Sequence, residues 1–425
     1  MSVGFLFLSM LVLILLGVPV AAAIGAAATA TLLFFFNVNL EIVPSRIFYG
    51  LDSFLILSVP LFLLLGEVME RAKITERLVE FADSLVGRWR GGMGHVTVVS
   101  NILMSGISGS GAADAAATGV ALVPAMRRSG YSSAFASALV AATSTVGPII
   151  PPSIIMVIYA SITGVSVGEL FLAGFIPGFV VAAFLMVYVY FKAPPSSAET
   201  DRRRAPRLVA LRRASLVLVA PLIVVFGIVG GVFTATESAA VACAYALVIG
   251  LFVFKTVPFT ELVDIFRVAT LNSAKVMFVV AASSIFSWVM VRAGVAEYVG
   301  TLPFFAPDAP AWMILLAINV LLLILGCFMD AVAVLLILTP ILLPIIKRAG
   351  IDPVHLGIVM SVNLGIGLGT PPFGTSMFVL LGIGKVTMLE YSRAIWPMVL
   401  ILIMALLVIT YVPAVSLVLP DLLSR

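Results

Sequence analysis

Charged side chains are scarce in this sequence: 24 Lys and Arg and 20 Asp and Glu in 425 residues, 10% in all. So few charges cannot wet the surface of a soluble protein this long. With 62% hydrophobic residues, the chain reads as a polytopic membrane protein. Cysteine is nearly absent too. Cys243 and Cys327 both lie in apolar runs and read as small membrane-embedded side chains rather than a disulfide pair. The two histidines, His95 and His355, sit beside loops with no second His or Cys at ligand spacing, so no transition-metal site is expected. No G-x-x-x-x-G-K-[ST] string occurs, which excludes a P-loop ATP motor within this chain. The net charge of +4 is dispersed through short loops and forms no patch for nucleic acid. The apolar N-terminus lacks the basic segment of a cleavable signal peptide, so Ser2 onward reads as a membrane helix.

What the chain has instead is a repeat. Pro124-Ala-Met-Arg-Arg-Ser-Gly130 returns as Pro344-Ile-Ile-Lys-Arg-Ala-Gly350. At the same offset Gly147 meets Gly367, and Pro151-Pro152 meets Pro371-Pro372. Two repeats, each with a Gly/Pro-broken apolar segment, mark the binding site of a secondary transporter.

Apolar runs fall at 2–18, 20–36, 52–70, 92–127, 133–163, 170–192, 214–232, 237–254, 270–292, 311–346, 354–384 and 393–418. Since about 20 residues cross a bilayer, 92–127 and 311–346 are too long for one span. Each breaks in the middle, at Ser108-Gly-Ser-Gly111 and at Gly326 to Asp330, and reads as a re-entrant hairpin. Basic clusters at Arg71 to Arg90, Arg127-Arg128 and Arg202 to Arg213 belong on the cytoplasmic side by the positive-inside bias. That choice puts both termini outside. It also leaves Lys347-Arg348 outside, as an inverted copy requires. The segment 73–91 has Leu78, Phe81, Leu85 and Trp89 at helical spacing and reads as an interfacial helix, with Pro258 to Arg267 as its counterpart. The expected class is an all-α polytopic inverted-repeat bundle of about ten spans plus two hairpins. It divides into 1–72 (first scaffold helices), 73–91 (interfacial), 92–163 (hairpin and broken helix), 164–213 (span and basic loop), 214–310 (second scaffold helices), 311–384 (second hairpin and broken helix) and 385–425 (final span).

Backbone that leaves the helix inside a bilayer must be satisfied by protein or must line a polar cavity. Prolines in the two broken helices free carbonyls upstream by removing N–H donors. Carbonyls and hydroxyls together suit a hard cation such as Na⁺. One candidate cage joins Ser108 and Ser110 to the carbonyls of Gly147, Ile150 and Pro152. The other joins Gly326 and Met329 to Gly367, Thr370 and Pro372. The competing reading is that these glycines and prolines only kink or pack helices. Asp114 and Asp330 each follow a hairpin tip; they balance cation charge, relay a proton or cap the returning arm. Thr143, Ser144, Thr145, Ser153, Asn363, Thr375 and Ser376 supply neutral hydrogen bonds near half-helix N-termini, which suit a carboxylate substrate. Thr234-Ala-Thr-Glu237 fits a capping box, and Lys275 and Arg292 sit near the two ends of one run, where snorkelling suffices. Gly106-Ile-Ser108-Gly109 also matches the G-x-S-G of intramembrane serine proteases. The glycine-rich tip recurs as a break without serine in the second half, and no histidine lies in the middle of an apolar run, so that reading is set aside.

Several long strings carry a family resemblance: Ser105-Gly-Ile-Ser-Gly-Ser-Gly-Ala-Ala-Asp114, Thr143 to Ser153, Gly231 to Ala240, Asp352-Pro-Val-His-Leu-Gly357 and Asn363 to Pro372. Together they resemble the large membrane subunit of the tripartite ATP-independent periplasmic (TRAP) transporters. The resemblance implies a bacterial inner-membrane importer of organic acids, not an enzyme, driven by Na⁺ and working by an elevator movement. It implies a separately encoded four-helix membrane subunit, a periplasmic solute-binding protein and the surrounding lipid as partners. The family's first sodium site falls on Ser108, Ser110, Gly147, Ile150 and Pro152, and its second on Gly326, Met329, Gly367 and Thr370. Met329 departs from the hydroxyl or small residue common there, leaving only its carbonyl. A stand-alone divalent-anion symporter of similar architecture is the alternative.

Overall fold

The computed structural model describes residues 1–36, 38–193 and 205–423; the basic triplet Arg202 to Arg204 lies outside them. Every regular element among the described residues is helical. α1 (Ser2–Leu15) and α2 (Val20–Phe35) pack together across a turn at Gly17, whose φ of +83° only glycine adopts freely. α3 (Ile42–Leu51) is a short helix that hydropathy leaves unmarked, because Pro44, Ser45 and Arg46 dilute it. α4 (Ser58–Arg71) follows. α5 (Ile74–Val86) covers the expected interfacial segment. Its Leu78 and Ala82 are fully buried, whereas Trp89 beyond its end is exposed.

The run 92–127 splits into α6 (Gly92–Ser108) and α7 (Gly111–Arg128), and 133–163 into α8 (Ser133–Ser144) and α9 (Ile154–Thr163). α10 (Val167–Lys192), α11 (Arg207–Val229) and α12 (Ala235–Val248) come next, α12 opening on the expected Thr234–Glu237 capping box. α13 (Leu262–Arg292) differs from expectation. A short 3₁₀ turn, Phe259–Glu261, leads straight into a helix of 31 residues, so Pro258 to Arg267 is no separate lateral segment. No glycine or proline interrupts the chain between Pro258 and Gly294, which is why the helix starts early. The short lateral elements of this half are α14 (Val295–Val299) and the turn Pro303–Phe305, whose Phe305 carbonyl accepts a bond from Arg348 Nη2 at 3.1 Å.

The run 311–346 splits into α15 (Ala311–Gly326) and α16 (Ala331–Arg348), and 354–384 into α17 (Pro353–Gly369) and α18 (Thr375–Gly384). The expected single C-terminal span is two helices, α19 (Met388–Tyr411) and α20 (Ala414–Leu423), divided at Pro413. Among the described residues, six helices are long and apolar enough to cross a membrane by length and composition: α10, α11, α12 with its π-helical extension to Val253, α13 with its leading turn, α16 and α19. Among the remaining apolar helices of 10–17 residues, α8 with α9 and α17 with α18 are joined in pairs through breaks.

Packing follows the same division. α4 lies on α12 and α2 on α13, with α3 beside α13. The four split runs also pack on one another: α7 on α8 and α18, α9 on α16, and α15 on α17. α5 lies against α6 and α11, and α10 braces α6, α17, α19 and α20. Basic residues tie the frame. Arg71 bonds Glu67 at 3.1 Å and Asp264 at 2.7 Å, Arg213 bonds Glu80 at 2.7 Å, and Arg77 stacks over Phe254.

Gly174 of α10 touches the segment between α8 and α9. A Cβ there would overlap the Ile149 carbonyl oxygen and lie 2.8 Å from Met156 Cε. Backbone cannot yield as a flexible side chain does, so Gly174→Ala should cost about 1–3 kcal/mol of stability. The check is thermal unfolding in detergent, with Gly382→Ala, where the new methyl meets nothing within 4 Å, as the control.

Candidate functional site

Each hairpin tip is held by the broken helix of its own half. At the first tip Gly109 takes a φ of +61°, and its carbonyl accepts the Ile154 N–H at 3.4 Å. A Cβ on Gly109 would overlap the Pro152 carbonyl oxygen, so the turn and the close approach both require glycine. At the second tip the Cys327 carbonyl accepts the Phe373 N–H at 3.2 Å. A Cβ on Gly367 would lie 2.5 Å from Gly326 O and 2.8 Å from Gly326 Cα. Ile154 and Phe373 each come just after a diproline, and both Pro–Pro bonds are cis.

The residues of the first candidate cage are therefore brought together. Ser108 Oγ donates to Asp114 Oδ1 at 2.5 Å and accepts the Ser110 N–H at 3.1 Å, which leaves one lone pair free. Gly147 lies against the start of α7: a Cβ there would be 2.7 Å from both Asp114 Oδ2 and Gly111 N. Ile150 and Pro152 are buried in the same break. In the second cage Gly326 meets Gly367, and Thr370 Oγ1 donates to the Ile366 carbonyl at 2.7 Å, its lone pairs likewise free. Pro372 is half-buried just before Phe373, while the side chain of Met329 turns into an apolar cavity with Phe7 and Val334. Oxygen donors predominate at both tips, which fits a hard cation. Among the described residues no three His, Cys, Asp or Glu side chains converge.

The two aspartates differ. Asp114 is fully buried and accepts from Ser108 and, at 3.4 Å, from Ser105. Asp330 caps α16, accepting the Val332 N–H at 2.9 Å, and is open to a cavity of about 530 Å³. Ser108 and Ser110 of the first tip, Asp330 of the second and Thr375 line one side of this cavity. Glu67 and Glu70 of α4 and Lys275 of α13 line the other. The volume suits a small solute.

The profile of the family described as the tripartite ATP-independent periplasmic transporter, DctM component, matches residues 7–415. The chain belongs to this family. It is 37% identical over 388 residues to the sialic acid TRAP transporter large permease protein SiaM of Vibrio cholerae, covering 91% of each chain. It is 34% identical over 405 residues to the C4-dicarboxylate large permease protein DctM of Rhodobacter capsulatus, again covering 91% of each. Among solved structures it is similar in fold to the YdaH transporter of Alcanivorax borkumensis, with a TM-score of 0.58, 17% identity and 88% of each chain covered. The chain is thus the large permease of a TRAP system, a multi-pass inner-membrane transporter subunit. Its family implies a small membrane subunit and a periplasmic binding protein beside it.

Within the permease, most of the polar residues expected at the substrate are spent inside the protein. Thr143, Ser144, Thr145, Ser153, Asn363 and Ser376 are all buried; of the expected set only Thr375 lines the cavity. Ser144 donates to Ala141 O and Ser153 to Pro148 O, while Ser376 reaches Gly111 O across the two halves at 3.5 Å. Thr145 Oγ1 and Asn363 Oδ1 have no hydrogen-bond partner. Both histidines are buried, against expectation. His355 bonds Ser416 and the Thr410 carbonyl, and His95 the Arg90 carbonyl, so Ser108 is bonded to Asp114 and to neither of them. Lys275 is not at a helix end either, because α13 begins earlier than hydropathy indicates.

Sequence reasoning missed a matched pair. Asn101 on the first hairpin donates to Thr143 Oγ1 at 2.8 Å, and Asn319 on the second accepts from Asn363 at 2.7 Å. Thr143 and Asn363 occupy equivalent places in the repeat, so the asparagine in each apolar first arm was the available signal. Asn363→Leu strands Asn319 Oδ1 in the core, and should cost about 1–3 kcal/mol. A double-mutant cycle with Asn319→Leu, read by thermal unfolding, should give a coupling energy of about 0.5–3 kcal/mol.

Proposed function

We propose that this permease imports a small organic acid, drawing on a sodium gradient, and that the cavity between the hairpin tips holds the acid. The observation that carries this reading is the meeting of both tips at one cavity, beside carbonyls that the diprolines leave without helical donors. The relatives named above are for sialic acid and C4-dicarboxylates, and another, 38% identical, is for isethionate. These solutes share an anionic group. Sodium would sit at Ser108, Ser110, Gly147, Ile150 and Pro152, and at Gly326, Met329, Gly367, Thr370 and Pro372.

The two hairpins and two broken helices would move as one body against α1–α4 and α11–α13, carrying the cavity from one face to the other. The basic clusters near Arg71, Arg127 and Arg207 orient the chain with both termini in the periplasm, where a binding protein would deliver the acid. Sodium that orders the tips also raises affinity for the acid, and the acid raises affinity for sodium.

The test is uptake in proteoliposomes containing this chain, its small subunit and its binding protein. An inward sodium gradient should drive accumulation. Ser110→Ala and Thr370→Ala should each raise the half-saturating sodium concentration by about tenfold, the weight of one lost charge-assisted contact. Unchanged sodium activation in both variants removes the site assignment, and uptake without any binding protein points instead to a stand-alone symporter.

A further inference from the structure

α13 meets the hairpin-bearing body at two cavities. At the first, of about 530 Å³, it presents Lys275 across from the tip serines. At the second, of about 440 Å³, it presents Ser283, Ser284 and Ser287, and the one charged lining residue there is Asp52 of the α3–α4 link. Lys275 is the fourteenth residue of α13, roughly 20 Å along the helix from its start. An ammonium facing a cavity between packed helices is best placed where an opposite charge meets it.

Nothing within the protein does so fully. Lys275 Nζ has one hydrogen-bond partner, Asn272 Oδ1 at 3.5 Å, and among the described residues no carboxylate comes within 4.0 Å of it. The acids lining the cavity are engaged or remote. Glu67 is held by Arg71 at 3.1 Å, Asp330 is drawn to the Val332 N–H, and Glu70 makes no ion pair with the lysine. Lys275 is exposed to the cavity and is its only cation.

We propose that Lys275 is a specificity-determining residue, the counter-charge that receives the anionic group of the solute in the first cavity. The inference rests on reading that cavity as the solute's. It adds that the charge is supplied by the frame helix and not by the hairpins. Both cavities offer hydroxyls and carboxylate, but of the two only the first has a cation, Lys275, among its described lining residues.

Two measurements test this. Cys243 and Cys327 are replaced by serine and Ala113, exposed in the cavity, by cysteine. Modification rates are compared for an anionic methanethiosulfonate (ethylsulfonate) and a cationic one (ethyltrimethylammonium). Lys275→Gln should lower the anionic-to-cationic rate ratio about fivefold, and Lys275→Arg should preserve it. In proteoliposomes with both partner proteins, Lys275→Gln should raise the KM for the transported acid and leave the half-saturating sodium concentration in place, and Lys275→Arg should restore the KM. If the unmodified permease moves no acid, the proposed function fails, and the rate ratio alone still decides whether Lys275 sets the cavity's charge. A rate ratio unmoved by Lys275→Gln, or a KM unmoved in a permease that does transport, overturns the inference.

Discussion

Main chain that leaves the helix at membrane depth has no water to turn to, and in this protein it turns to other main chain that has also left the helix. The carbonyl at each hairpin tip, Gly109 or Cys327, takes the N–H that follows a diproline, Ile154 or Phe373. A tip or a break alone would expose unsatisfied groups in hydrocarbon, each costing several kcal/mol. Joined, they satisfy one another and bring oxygen atoms close. The glycines are explained by the same constraint. Gly109, Gly147 and Gly367 stand where a second backbone approaches more closely than a methyl group allows.

The four split runs also pack on one another across the two repeats. α7 and α18 pack together, as do α9 and α16, so each hairpin's returning arm lies on the far half of the other repeat's broken helix. Gly111 carries this exchange at close range, next to Leu368 and within reach of Ser376. The frame, by contrast, is tied through long-range charge contacts such as Arg71 to Asp264 and Arg213 to Glu80. Cavities lined by both sets of helices fall where the two kinds of packing meet.

Much of this was legible in the sequence because it was written twice. The diprolines, Gly147 with Gly367, and the Arg-Arg and Lys-Arg pairs are rare residues at one offset, and each marks a break or helix end in the structure. What escaped depends on distance across the fold. Asn101 and Asn319 are asparagines in apolar arms, and their partners lie about 42 and 44 residues away. Periodicity cannot pair such residues. Hydropathy also misjudged α13, since Asp264, Arg267 and Asn272 lower the average of its first turns while leaving its backbone helical. The helix start therefore lay further from Lys275 than hydropathy indicated. The substrate candidates could not be sorted for a related reason: Thr, Ser and Asn in an apolar chain can face a solute or satisfy their own backbone.

The repeat has also diverged at the point that matters most. Asp114 is the fourth residue of α7 and Asp330 the N-cap of α16; the first is buried beneath Ser108 and Ser105 and the second is open to a cavity. Ser105 and Ser108 give Asp114 hydroxyl donors, whereas Gly326-Cys-Phe-Met-Asp330 offers no hydroxyl. A carboxylate without such donors must take main-chain N–H groups, and Asp330 does so by capping α16. One half therefore keeps its acid inside the tip, and the other presents it to the space where both tips meet. Two halves with the same backbone plan thus end with different chemistry, and the single cavity that touches both tips inherits the difference.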